Sequence, residues 1–163
     1  MRKWYWRIVA AVVGIGAVAA LVLVLLPKPT VPTKIRQQLS STLILPTGKQ
    51  FAVDNATVKY DSSLRVLSFT AHAFDSTLVV SEQPSPEQFT DVPAAYQKVT
   101  EQMNDYYDFA TSLGTVHLTT PTQLGGKQAA VINADGTLTF IKPSSNLSTT
   151  QWRQFFTSFQ VSN

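Results

Sequence analysis

The sequence predicts an α+β protein in which an N-terminal transmembrane helix precedes a mostly antiparallel sheet with helices packed on one face. Three observations carry that reading. An apolar run from Ile8 to Leu26 is unbroken by charge. Period-two alternation punctuated by turn residues recurs between Leu43 and Lys142. Helical apolar spacing follows Ser85 and again Ser148. The chain divides into a basic and aromatic flank (1–7), a membrane anchor (8–26), a Pro-rich stalk (27–42) and an extracytoplasmic α+β domain (43–163).

The anchor comes first. Ile8 to Leu26, at about 1.5 Å rise per residue, makes a helix of roughly 28 Å, close to the ~30 Å hydrocarbon core of a bilayer. Trp4, Tyr5 and Trp6 stand at headgroup level. Arg2, Lys3 and Arg7 hold the amino terminus in the cytoplasm by the excess of cations on inner loops. These six residues form the expected membrane interface. Ala17-Val18-Ala19 offers a cleavage-like triplet, but Leu21 to Leu26 prolongs the apolar run past it, so the span reads as an uncleaved signal anchor. Small residues at Gly14, Gly16 and Ala20 would let two such helices approach closely, a route to dimerisation in the membrane.

Charge and cysteine exclude several function classes. The net +3 is carried by the three cations before the span. From Leu43 onward, ten acids against seven bases leave about −3, so no nucleic-acid surface is expected. The absence of cysteine removes disulfides, thiolate metal sites, a Cys nucleophile and a lipidated Cys. The exported part must be held by its own core, and it contains all nine Phe.

Pro27, Pro29 and Pro32 stiffen the stalk, with a short helix over Thr33–Leu39. Strands are expected at Leu43–Leu45 before Pro46, at Ala56–Tyr60, at Leu64–Phe74 and at Thr77–Glu82, the last two forming a hairpin. Ser85 as cap, Pro86 at the first position and Gln88 then open a helical block. Its stripe is Phe89, Val92, Tyr96, Val99, Met103 and Tyr106, interrupted at Pro93 and closed by Gly114. Strands follow at Thr115–Thr119, Lys127–Ala134 and Thr137–Lys142. Asp135-Gly136 makes the last two a hairpin with a type I′ turn. Ser148 and Gln151 form a capping box, Leu147 and Trp152 a hydrophobic staple, and Trp152, Phe155, Phe156 and Phe159 share one face of the final helix. The expected aromatic core is Phe69, Tyr96, Phe140, Trp152, Phe155, Phe156 and Phe159.

No residue pattern reaches the strength of a catalytic signature. His72 and His117 lie in separate strands without metal-ligand spacing or a carboxylate neighbour in sequence. Asp105 and Asp108, beside Tyr106 and Tyr107, are expected as solvated acids at the end of the helical block. Glu82-Gln83-Pro84 reads as punctuation between a strand and a helix. Gly125-Gly126-Lys127 lacks the residues of a phosphate loop, and neither G-x-S-x-G nor S-x-x-K occurs. The sequence thus yields no catalytic, cofactor-binding or metal-binding residue.

The order of these segments is nonetheless distinctive: a strand ending at Pro46, the Tyr60 turn into Leu64–Phe74, then Leu78–Pro84, Gly126–Asn133, Asp135-Gly136-Thr137 and a Ser148-capped helix. It resembles bacterial extracytoplasmic domains of unknown function that follow a single membrane helix in anti-sigma factors and surface lipoproteins. The resemblance spans Leu43 to Phe159 and implies a fold and an exported location; it transfers no active residue. An anti-sigma factor would also carry a sigma-binding domain before the span, where only seven residues stand here, and the lipoprotein cysteine is missing. The expectation is a non-enzymatic, membrane-anchored binding or envelope-assembly protein. Its partners would be membrane lipid through the N-terminal helix, and an envelope protein or glycan. The rival is an envelope hydrolase with an active site assembled from dispersed Ser, His and Asp residues.

Overall fold

Alternation in the sequence becomes two-sidedness in the sheet. The computed structural model describes residues 31–120 and 124–162. Its elements are α1 (Thr33–Arg36), β1 (Leu43–Pro46), β2 (Val53–Asp61), β3 (Val66–Ala73), β4 (Ser76–Pro84), α2 (Glu87–Asp91), α3 (Pro93–Gln102), β5 (Asp105–Thr111), β6 (Gly114–Thr119), β7 (Ala129–Ala134), β8 (Thr137–Pro143), α4 (Thr149–Thr157) and β9 (Phe159–Ser162). Seven strands form one sheet in the order β2-β3-β4-β8-β7-β6-β5, and β1 pairs with β9 in a second, two-stranded sheet. Every pairing is antiparallel. The α+β class is as expected.

The membrane anchor, its aromatic flank (Arg2, Lys3, Trp4, Tyr5, Trp6, Arg7) and the small residues Gly14, Gly16 and Ala20 lie outside the described residues. Among the described residues no helix is long and apolar enough to cross a membrane. The end of the expected stalk does not stand free of the domain. Val31 is buried in the core cluster, and Ile35 and Leu39 pack against it. The Thr137 hydroxyl donates to the Thr42 carbonyl at 2.6 Å. The folded unit therefore includes Val31 to Thr42 and does not start at Leu43.

Register assigns each residue to a face, because successive side chains alternate. Phe69 pairs with Val80, Val80 with Ile141, Ile141 with Ala130, Ala130 with Leu118 and Leu118 with Tyr107, so these share the inner face. On that face lie α4 and the β1–β9 pair. Trp152, Phe155 and Phe156 of α4 are buried there, and so is Phe159, which is not on the helix as expected but opens β9 after α4 ends at Thr157. Phe156 meets Phe109 at 5.9 Å between ring centroids, and Phe155 meets Phe51 at 5.5 Å. The capping box is present, with the Gln151 amide donating to Ser148 Oγ at 3.2 Å and the Ser148 amide to Gln151 Oε1 at 2.8 Å. Gln128 ties this helix to the sheet: its Oε1 accepts from the Leu147 amide and from Trp152 Nε1.

Several expectations are corrected. Helices cover both faces, because α2 and α3 lie on the face opposite α4. The helical block ends at Gln102; Asn104 turns at φ 59° and Asp105–Thr111 is strand β5, paired with β6. The apolar stripe is accordingly shorter, with Val92 and Val99 exposed and Tyr106 on the strand. Ser85 is not the helix cap: its amide donates to the Gly136 carbonyl, which keeps it in the sheet, and Pro86 takes the cap position. Of the expected core aromatics, Phe69, Trp152, Phe155, Phe156 and Phe159 are buried on the inner face. Tyr96 and Phe140 are half-buried on the outer one. The type I′ turn is as expected, with Asp135 and Gly136 both at positive φ.

Candidate functional site

The outer face is the less completely covered of the two, and it holds the chemistry. Its only helical cover among the described residues is α2 and α3. Alpha2 has five residues, α3 ten, and neither has a side-chain cap. Proline at the first position of α3 supplies a fixed φ instead. Beneath them lies a cavity of about 240 Å³, lined by Phe89, Tyr96, Val99 and Met103 from the helices and by Val131, Leu138 and Phe140 from the strands. Ser81 and Gln83 are the polar side chains in its wall. Phe89 and Tyr96 meet with their rings tilted at 53° and 5.5 Å between centroids, bordering one side. Farther along the same face, over β3 and β4, Val79 is half exposed and no helix covers it.

Tyr96 is the wall between this cavity and an ionisable cluster. Its ring meets the imidazole of His117 edge-on at 5.3 Å. His117 Nδ1 lies 3.0 Å from Asp105 Oδ2 and 2.9 Å from Asp108 Oδ1. The two acids are three positions apart and would point to opposite faces of a regular strand. A bulge between Asp105 and Tyr107 inserts one residue and brings both onto the outer face with His117. Desolvation lifts the Asp108 carboxyl above its ordinary range. His117 pulls it the other way, and the Asp105 charge adds to the rise. Burial, and then the charges of Asp105 and Asp108, push the Tyr96 hydroxyl up as well. That hydroxyl approaches the Asn133 backbone but makes no well-formed hydrogen bond.

This convergence was invisible in the sequence because Asp105 and Asp108 fell inside a helical reading, which left His117 without a carboxylate partner. The usable signal was local. Tyr107 and Phe109 alternate with Asp108 and Ala110, a strand pattern starting just after Asn104. His72 takes no part: it is exposed, and its Nδ1 lies 3.4 Å from Thr77 Oγ1.

A second ionisable group was read as punctuation. Glu82 faces inward and is 3% exposed. Its Oε2 accepts from the Ile44 amide at 3.4 Å, while Oε1 has no partner. Burial raises its carboxyl to about 8, against the small opposing effect of the Ile44 amide. At neutral pH it is mostly an uncharged acid within the core. Its inward position follows from alternation with Leu78 and Val80.

Comparisons of the chain with protein-family models, with curated proteins and with solved structures return no match.

Proposed function

We propose that this chain is a membrane-tethered, extracytoplasmic binding protein of the cell envelope without catalytic activity, and that it grips an apolar side chain of a protein partner in the cavity beneath α2 and α3. The observation that carries the reading is the lining of that cavity. Seven apolar or aromatic residues face it against two neutral polar ones. A glycan would leave its hydroxyls without partners there. At about 240 Å³ the space is smaller than the ~300–1,000 Å³ of ordinary small-molecule sites, and it matches a single anchoring residue of the kind that dominates protein interfaces. The hydrolase reading has less behind it: the hydrogen-bonding partners of His117 are carboxylates, and among the described residues no serine engages its ring. The apolar run Ile8–Leu26 behind three cations supports the tether, and so does the segment order that resembles single-span extracytoplasmic domains.

The test uses the full chain in lipid nanodiscs, titrated with N-acetyl-tryptophanamide and followed by the methyl resonance of Met103 in the cavity wall. The expected result is a saturable shift that Val99→Arg abolishes and that a neutral glucan oligomer does not reproduce. No shift, or an equal shift with the glucan, overturns the binding mode. Protection of the C-terminal domain from protease added to intact spheroplasts overturns the topology.

A further inference from the structure

We propose that Asp105, Asp108 and His117 bind one divalent transition-metal ion on the outer face of the sheet, with the Thr119 hydroxyl as a partner for metal-bound water. The three side chains each offer one ligand atom, and these atoms all lie within 4.8 Å of one another. The spacing suits a single ion. Ligands at a tetrahedral centre with bonds of ~2.0–2.1 Å stand about 3.3 Å apart. The two Nδ1···O separations of 3.0 and 2.9 Å need to open by only a few tenths of an ångström.

A proton shared between an imidazolium and the acids accounts for this geometry less completely. Nδ1 carries at most one proton, so it cannot donate at full strength to two carboxylates at once. The oxygens around it are also left wanting. Asp105 Oδ1 is buried with no hydrogen-bond partner, although the Asp105 side chain is only 13% exposed.

Thr119 is an independent sign. It stands on the same face as His117, two positions along β6, and pairs directly across from Asp105. Cross-strand partners hold their Cβ atoms about 4.5–5.5 Å apart, so its hydroxyl borders the acid. Thr119 is 0% exposed, and its Oγ1 has no partner. A buried hydroxyl with nothing to bond is rare in a native fold and asks for a ligand or its water.

Access fits as well. Asp108 is 49% exposed, so the cluster opens to solvent on one side while Tyr96 walls the other. One imidazole with two carboxylates favours Zn²⁺ or Mn²⁺ over the harder Mg²⁺ and Ca²⁺, which prefer all-oxygen sets. The site does not depend on the apolar cavity, so it stands or falls separately from the proposed binding mode.

The experiment uses the full chain in detergent micelles, with any affinity tag removed and bound metal stripped by a chelator. Zn²⁺ is titrated against a chromophoric competitor, and Co²⁺ is added separately to read its visible absorption. One equivalent of Zn²⁺ is expected to bind, and Co²⁺ to show the stronger bands of a low-coordinate centre. Asp108→Asn and His117→Gln weaken uptake by at least about tenfold, and Thr119→Val by about tenfold, the range for removing a second-layer partner. His72→Gln leaves uptake unchanged. Asp108 is half exposed, so its variant reports on the site even if the buried substitutions disturb folding. Absence of saturable uptake at millimolar ion, or uptake that Asp108→Asn does not weaken, overturns the proposal in favour of a plain imidazolium bridge.

Discussion

The two faces of the sheet are built on different terms. The inner face is closed by α4 and the β1–β9 pair, with Trp152 and Phe155 both 0% exposed and four aromatic side chains of one short segment in mutual contact. The outer face is closed over only part of the sheet, by two short helices, and it keeps a cavity and two acids, one of them half exposed, apposed to the buried His117. Burial of apolar area stabilises at about 25 cal/mol per Å², so a continuous aromatic layer concentrates stability on one side. That concentration leaves the other side free to carry voids and unpaired oxygens, which a binding site needs and a core does not. Within the inner layer the exceptions are Glu82, a carboxyl flanked by Val80 and paired with Leu67, and Thr139 directly across from it on β8.

The largest effect should come from opening the inner layer. Trp152→Ala is expected to cost about 3–5 kcal/mol, because it removes a fully buried ring and its hydrogen bond to Gln128, and urea denaturation would measure the loss. A loss below about 1 kcal/mol would mean that the two faces are not unequal after all.

Glu82 gives the next largest effect, and its sign is fixed by linkage. The folded-state carboxyl titrates near 8 while its ordinary value is 4.5. Below 4.5 both folded and unfolded chains hold the proton. Above it the unfolded chain ionises first, so stability falls as pH rises and levels off past 8. Near pH 7 the penalty is about 3 kcal/mol. Glu82→Gln should remove that slope and raise stability near neutrality; thermal unfolding between pH 5 and 8 would reveal it, and an unchanged slope would place the titration elsewhere.

On the outer face the costs shrink. Phe140→Ala enlarges a cavity that already exists and is expected to cost about 1–2 kcal/mol, well under its inner counterparts. Equal losses for Phe140→Ala and Phe156→Ala in the same denaturation series would erase the distinction. Smallest of all, Asp108→Asn without added metal should change stability by less than about 0.5 kcal/mol, since the side chain is half exposed and loses both a repulsive and an attractive neighbour. Hydrogen exchange would sharpen the contrast further, with α2 and α3 amides opening more readily than those of β7 and β8.

Legibility in the sequence followed the range of the interaction. The Asp135-Gly136 turn, the Ser148 capping box and the aromatic face of α4 were all readable, because each depends on residues within one or two turns of chain. Pro93 marked the break between α2 and α3, but the i, i+3, i+4 spacing from Phe89 on to Tyr106 suggested helix past Met103, and that local signal hid β5. Strand β9 is four residues long and carries too little pattern to be read. Of the outer site only the alternation after Asn104 was readable, since its geometry rests on a bulge that re-aims Asp105 and on the β5–β6 register that sets Asp108 opposite His117.

What the amino-acid order determined alone was the class of the domain, the positions of most strands and the Asp135-Gly136 turn, the cysteine-free chemistry and the apolar N-terminal run. Backbone preference, side-chain period and capping act over a few residues, so one dimension suffices to state them. Tertiary structure decided which face each helix covers, that Glu82 lies in the core, and that two acids and a histidine stand together beside Tyr96. Those outcomes depend on strand register and on desolvation, and both exist only when distant segments meet.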